Sequence, residues 1–193
     1  HWLGGVRRQL QPAQREHLLA AFTRSGLPLY LKLAFEMARG WASYEPPEAC
    51  LLGEGIDGVI DTLLDRLALE ANHGGLLVGR ALGYLAAARY GLTEDEVLDV
   101  LTADEEVWRD FERRAHHTPP EQRLPVVVWS RLFLDLEPYL AERSAPGGTV
   151  VTFYHRQLAE QAVARFLGHG QGRQRHEALA AYFGSQPLWL DVA

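Results

Sequence analysis

Apolar residues recur at three- and four-residue intervals along most of this chain, the spacing that lines one face of an α-helix. Pro12 opens the first such segment, which runs through Leu18, Leu19 and Phe22 to a stop at Gly26. Proline suits a first helical turn, where its missing N–H is not needed, and glycine suits the stop because it accepts a left-handed backbone. Pro28 opens a second helix over 29–39. Its apolar positions Leu29, Leu31, Leu33, Ala34, Phe35 and Met37 cover most of the circumference and predict burial. Residues 41–55, rich in proline and glycine, read as a loop. A third helix over 56–70 repeats at Ile56, Val59, Ile60, Leu63, Leu64 and Leu67. Asn72-His73-Gly74-Gly75 breaks the pattern and marks a domain boundary.

Beyond the break, 76–90 predicts a small-residue-rich helix that must pack closely against others. Gly91 turns the chain. Thr93 and Glu96 then stand three residues apart ahead of Val97, Leu98, Val100 and Leu101, the spacing of a capping box. A helix, a glycine turn and a second capped helix make a helix-turn-helix pattern. A short acidic helix over 104–114, a loop at 116–120 and a strongly apolar helix over 125–141 follow. Residues 142–148 read as a turn and the β-branched run 149–154 as a strand. Helices over 156–167 and 175–182 close the pattern. This is the order of a winged-helix domain. The expected fold is mainly α: a small helical bundle over 1–72, a winged-helix domain with a short β-hairpin over 73–183, and a tail over 184–193.

Composition narrows the function classes. The 193 residues are 47% hydrophobic and 23% charged, as in an ordinary globular protein. Cys50 is the one cysteine, which excludes an internal disulfide, and no apolar run approaches the roughly 20 residues of a membrane span. A cytoplasmic location with no membrane partner is expected. The chain starts at His1, not at methionine, so it reads as a piece of something longer. The net charge of −6 is unevenly spread: between Glu45 and Glu112 stand sixteen acids and four arginines. That stretch repels phosphate backbones. The helix over 125–141, in the recognition position, offers one base, Arg131, countered by Asp135 and Glu137. A groove-reading helix needs polar and cationic side chains, so nucleic acid is not the expected partner. A winged-helix nucleic-acid-binding regulator, acting through Arg156, Arg165, Arg173 and Arg175, is the alternative.

Catalytic motifs are missing. A phosphate-cradling P-loop needs a lysine after spaced glycines, and the only lysine, Lys32, sits in Leu-Tyr-Leu-Lys-Leu-Ala. No Gly-x-Ser-x-Gly elbow is present, and Ser130 falls within an apolar helix. His116 and His117 lie in a proline loop with no thiol to join them, so no metal is expected. Asp104, Glu105 and Glu106 read as a solvated helix start, suited to the helix dipole. The chain by itself is not expected to be an enzyme.

Two short motifs remain. Gly26-Leu27-Pro28-Leu29-Tyr30-Leu31 is a helix stop followed by a proline-started helix. Phe153-Tyr154-His155-Arg156-Gln157 places a histidine between a strand end and free helix N–H groups, a position suited to an anion. In this order they resemble the STAND NTPases, the NACHT and NB-ARC signalling ATPases. The first is similar to the Gly-x-Pro motif of the helical domain that follows the nucleotide-binding domain. The second is similar to the Phe-x-His motif before the last helix of the NACHT winged helix. The run from Arg80 to Val97, and Val128-Trp129-Ser130-Arg131-Leu132, resemble NACHT proteins carrying WD40 or TPR repeats. The resemblance implies that Pro28 packs on adenine and that His155 contacts the β-phosphate of ADP in a closed, inactive state. It implies a regulatory module controlling activation and oligomerisation, with ADP or ATP shared with a nucleotide-binding domain outside this chain. It makes that domain, C-terminal repeats and further copies of the protein the expected partners. The P-loop, the Mg²⁺-binding acids and the arginine sensor would belong to the absent domain.

Overall fold

A buried glutamine organises the first of two compact units, which divide between Arg66 and Leu67. The computed structural model describes residues 9–115, 122–145 and 148–186. In the first unit α1 spans Pro12–Ser25 and α2 Pro28–Arg39, and α3, Gly55–Ala68, belongs to it up to Arg66. Gln14 on α1 is 1% exposed. Its amide Nε2 donates to the carbonyls of Ala42 and Glu45, both at 2.9 Å, and its Oε1 accepts from the Gln11 N–H. A buried side-chain amide must be paired on both ends; here the pairing fixes the loop between α2 and α3. Tyr30, 1% exposed, seals that loop further on by donating its hydroxyl to the Gly53 carbonyl at 3.0 Å. Leu33, Ala34 and Met37 of α2 and Val59, Ile60 and Leu63 of α3 are buried. Leu29, Leu31 and Phe35 are only half-buried, so α2 shows one inward face where the sequence predicted near-complete burial.

The second unit is built on α4, Gly75–Ala87, which packs on α5 (Glu94–Ala103), α6 (Glu105–Arg114), α8 (Arg156–Phe166), α9 (Gln171–Ser185) and the hairpin. Seven of its thirteen residues are buried, as a small-residue helix at the centre of a bundle requires. The capping box forms as expected: Thr93 Oγ1 accepts from the Glu96 N–H at 3.2 Å, and Glu96 Oε2 accepts from the Thr93 N–H at 2.7 Å. Helix α7, Val126–Leu136, buries Trp129, Leu132 and Leu136.

The wing departs from the sequence reading. The apolar helix ends at Leu136, not at 141, because Pro138 follows in a short 3₁₀ turn, Glu137–Tyr139. Residues 140–145, read as helix end and turn, are strand β1, Leu140–Ala145. Glu142, Arg143 and Ser144 are all exposed, so β1 lacks the alternation that marks a strand. It exists through antiparallel pairing with β2, Gly148–Phe153, in the register Leu140↔Phe153 to Ala145↔Gly148. On its other side β2 meets Leu92 in an isolated antiparallel bridge with Val151. The last helix begins at Gln171, four residues before the sequence suggested. His116 and His117 lie outside the described residues.

Candidate functional site

His155 is delivered by the wing. Strand β2 ends at Phe153, and the Tyr154 N–H donates to the Tyr139 carbonyl at 2.9 Å, which ties the strand exit to the start of β1. The next residue, His155, has the extended backbone of an N-cap (φ −127°, ψ 140°), and its carbonyl accepts the first helical bond, from Ala159 at 3.2 Å. Its side chain makes no capping bond. The first turn of α8 therefore keeps N–H groups without a side-chain acceptor, and these carry the positive end of the helix dipole. The imidazole is half-buried, and its Nδ1 is shielded from solvent with no hydrogen-bond partner among the described residues. A buried polar atom left unpaired costs free energy on the order of 1–3 kcal/mol, and such atoms cluster where a ligand or a function accounts for them.

Pro28 occupies the first turn of α2 in the other unit. Gly26 ends α1 in the left-handed conformation (φ 66°) and donates to the Phe22 carbonyl at 2.7 Å. Leu27 is extended and 48% exposed. The Pro28 ring is exposed as well, so the Gly-Leu-Pro turn presents an apolar surface without donors. Tyr30, two residues on, points inward and anchors the turn. The two motif residues stand in different units, and each is built by the local structure of its own.

One group was misread from sequence. Asp104 is not part of a solvated helix start: its side chain is 8% exposed. Its Oδ1 caps α6 through the Glu106 and Val107 N–H groups. Its Oδ2 accepts from the Tyr84 hydroxyl at 3.0 Å and lies 3.2 Å from Arg80 Nε and 3.7 Å from Arg175 Nη1. Burial, and then the Asp104 carboxylate, push the Tyr84 phenol well above its ordinary value. Glu105 and Glu106 are solvated, as expected. The Thr-Ala-Asp segment between two apolar helices could have flagged a buried cap, but the two arginines that hold Asp104 come from other helices.

Of the four arginines proposed for nucleic acid, three are buried or paired with a glutamate, and the exposed Arg165 lies with its Cζ 5.6 Å from the Phe166 ring centroid. Arg175 is buried, while Arg156 pairs with Glu160 at 3.2 Å and Arg173 with Glu177 at 2.7 Å. The outward face of α7 shows Val126, Val127 and Leu134 beside Arg131. Ser130 Oγ donates back to the Val126 carbonyl at 2.7 Å, as its place in the helix suggested. Among the described residues no cluster of three or more His, Cys, Asp or Glu is placed to hold a metal ion, and no helix is long and apolar enough to cross a membrane.

Residues 52–172 match the family model described as NWD1-like, winged helix-turn-helix domain. The chain is similar to human NACHT domain- and WD repeat-containing protein 1, 40% identical over 184 residues, covering 94% of this chain and 11% of that protein. Its mouse counterpart is 39% identical over 188 residues, with the same coverage. Mouse NACHT and WD repeat domain-containing protein 2 is 32% identical over 184 residues, covering 95% of this chain and 10% of that protein. The chain thus spans about a tenth of the length of these relatives. No solved structure matches.

Proposed function

The chain belongs to the family of NWD1-like winged helix-turn-helix domains, and on that premise we propose that it is the regulatory module of a NACHT-type signalling ATPase. In this reading the module closes over ADP held by the nucleotide-binding domain and thereby restrains activation and oligomerisation. The observation that carries it is His155: a half-buried imidazole whose Nδ1 has no partner among the described residues, set at the start of an eleven-residue helix that its side chain does not cap. An imidazole N–H and first-turn backbone N–H groups are the donors a phosphate oxygen needs. Pro28 supplies the complementary chemistry for a base, an exposed ring with no donor to lose. Each residue, taken in its own unit, has chemistry that supports this reading. Their role is binding and orientation, and the hydrolytic machinery belongs to the other domain.

The nucleic-acid alternative is disfavoured: Arg175 is buried, Arg156 and Arg173 pair with neighbouring glutamates, and the outward face of α7 shows Val126, Val127 and Leu134. Own-chain domains and repeats are the partners this surface suits.

The test is His155→Leu in the full-length parent, purified with its nucleotide-binding domain. ADP extracted from the protein should fall to a small fraction of the wild-type amount, and the sizing profile should shift to larger assemblies without a stimulus. Wild-type ADP retention together with an unchanged profile would overturn the reading.

A further inference from the structure

Helix α9 is fastened to its unit by two acidic anchors and very little apolar surface, and we propose that it is a releasable strap that opens before the unit unfolds. Among its described residues only Arg175 and Leu179 are buried, while Phe183 is 46% exposed. The first anchor is Asp104. Arg175 reaches it across the face of the Tyr84 ring, its Cζ 5.1 Å from the ring centroid and its Nη1 3.7 Å from Asp104 Oδ2. The second anchor is Asp99, whose Oδ2 accepts from the Tyr182 hydroxyl at 3.1 Å.

Two features make the docked state easy to leave. Arg175 Nε is buried with no acceptor among the described residues, and Asp104 Oδ2, at 3.7 Å from Nη1, lies beyond hydrogen-bond distance. A buried cation in that position has its desolvation only partly offset. Undocking also strands nothing. Asp104 keeps Arg80 and the Tyr84 hydroxyl, and Asp99 keeps Arg123, whose Nε donates to Oδ1 at 2.9 Å. Arg175 and Tyr182 pass into water, which satisfies both. The high cost of breaking a buried pair comes from the charge left behind, and here none is left. Opening bares the Tyr84 ring and the part of the Gly83 face of α4 that Arg175 covers, while Phe166 of α8 stays in place.

Hydrogen–deuterium exchange on the 193-residue chain tests this. Wild-type amides of α9 (171–185) should exchange about tenfold faster than those of α4 (75–87), since a local opening exposes only its own amides. Arg175→Ala and Tyr182→Phe should each speed α9 further, the second by about fivefold for one net hydrogen bond, with α4 unchanged. Should Arg175→Ala fail to fold, Tyr182→Phe, which deletes a single hydroxyl, decides alone. Equal wild-type rates in α9 and α4, or a loss of α4 protection that tracks α9 in Tyr182→Phe, would overturn the proposal.

Discussion

Gly91→Ala should be among the most damaging single-methyl additions in the winged-helix unit. Gly91 turns the chain between α4 and α5 with φ +87°, a conformation that disfavours any residue with a Cβ. That strain alone is worth about 1–2 kcal/mol. A Cβ there would also lie 2.5 Å from the Val151 carbonyl oxygen and 2.6 Å from Thr152 Cγ2. The first is backbone and cannot rotate away. The same carbonyl accepts from the Leu92 N–H at 3.2 Å, and the Val151 N–H donates to Leu92 at 2.7 Å. Moving β2 aside loosens both bonds, adding about 0.5–1.5 kcal/mol each. The expected total is about 2–5 kcal/mol. Gly170→Ala is the internal control, because φ there is +84° and nothing lies within 4 Å of a built Cβ. It should cost about 1–2 kcal/mol, the backbone term alone. Urea denaturation of both variants, followed by helical circular dichroism, gives the comparison within one unit. Equal costs for the two, within about 0.5 kcal/mol, would refute the claim that a close approach of backbone to β2 sets the turn.

Two further outcomes follow. Thr93→Ala removes the hydroxyl that caps α5 and should cost about 1 kcal/mol in the same urea assay, with Thr93→Ser restoring most of it. The Tyr182 phenol is pushed from an ordinary value of 10.0 up to about 12, first by burial and then by Asp99. Because the folded state holds this proton more tightly than the unfolded one, the contribution is fully present below about pH 10 and is lost as pH rises toward 12. An alkaline stability profile should therefore steepen across that window in wild type and be shallower there in Tyr182→Phe, where the raised Tyr84 and Tyr30 phenols still contribute.

What the sequence made legible was whatever local chemistry decides. Helices α1, α5 and α6 could be read from periodicity and caps, since Pro12, Gly26 and the Thr93–Glu96 pair act within a turn or two of themselves. Strand β1 could not: Glu142, Arg143 and Ser144 have no apolar partner face, and their conformation is imposed by β2. The same divide runs through the candidate site. Pro28 and His155 were legible as motif residues, and the exposure of one follows from the Gly26 turn beside it. The unpaired Nδ1 of His155 and the burial of Asp104 are products of packing among distant segments, Arg80 and Arg175 above all. No spacing rule reaches that far.

The bridge between Leu92 and Val151 has a consequence for solubility. It occupies part of the inner flank of β2, so the outer flank of β1 is where the hairpin shows open backbone donors and acceptors. An open strand flank invites pairing with the same flank on another molecule, the route to edge-to-edge aggregation. Here that flank carries Glu142 and Arg143, both exposed, on a strand of six residues. A second molecule approaching it would have to desolvate two charges to gain a short ladder. The polar residues that hid β1 from sequence reading are the ones that keep it from recruiting a third strand.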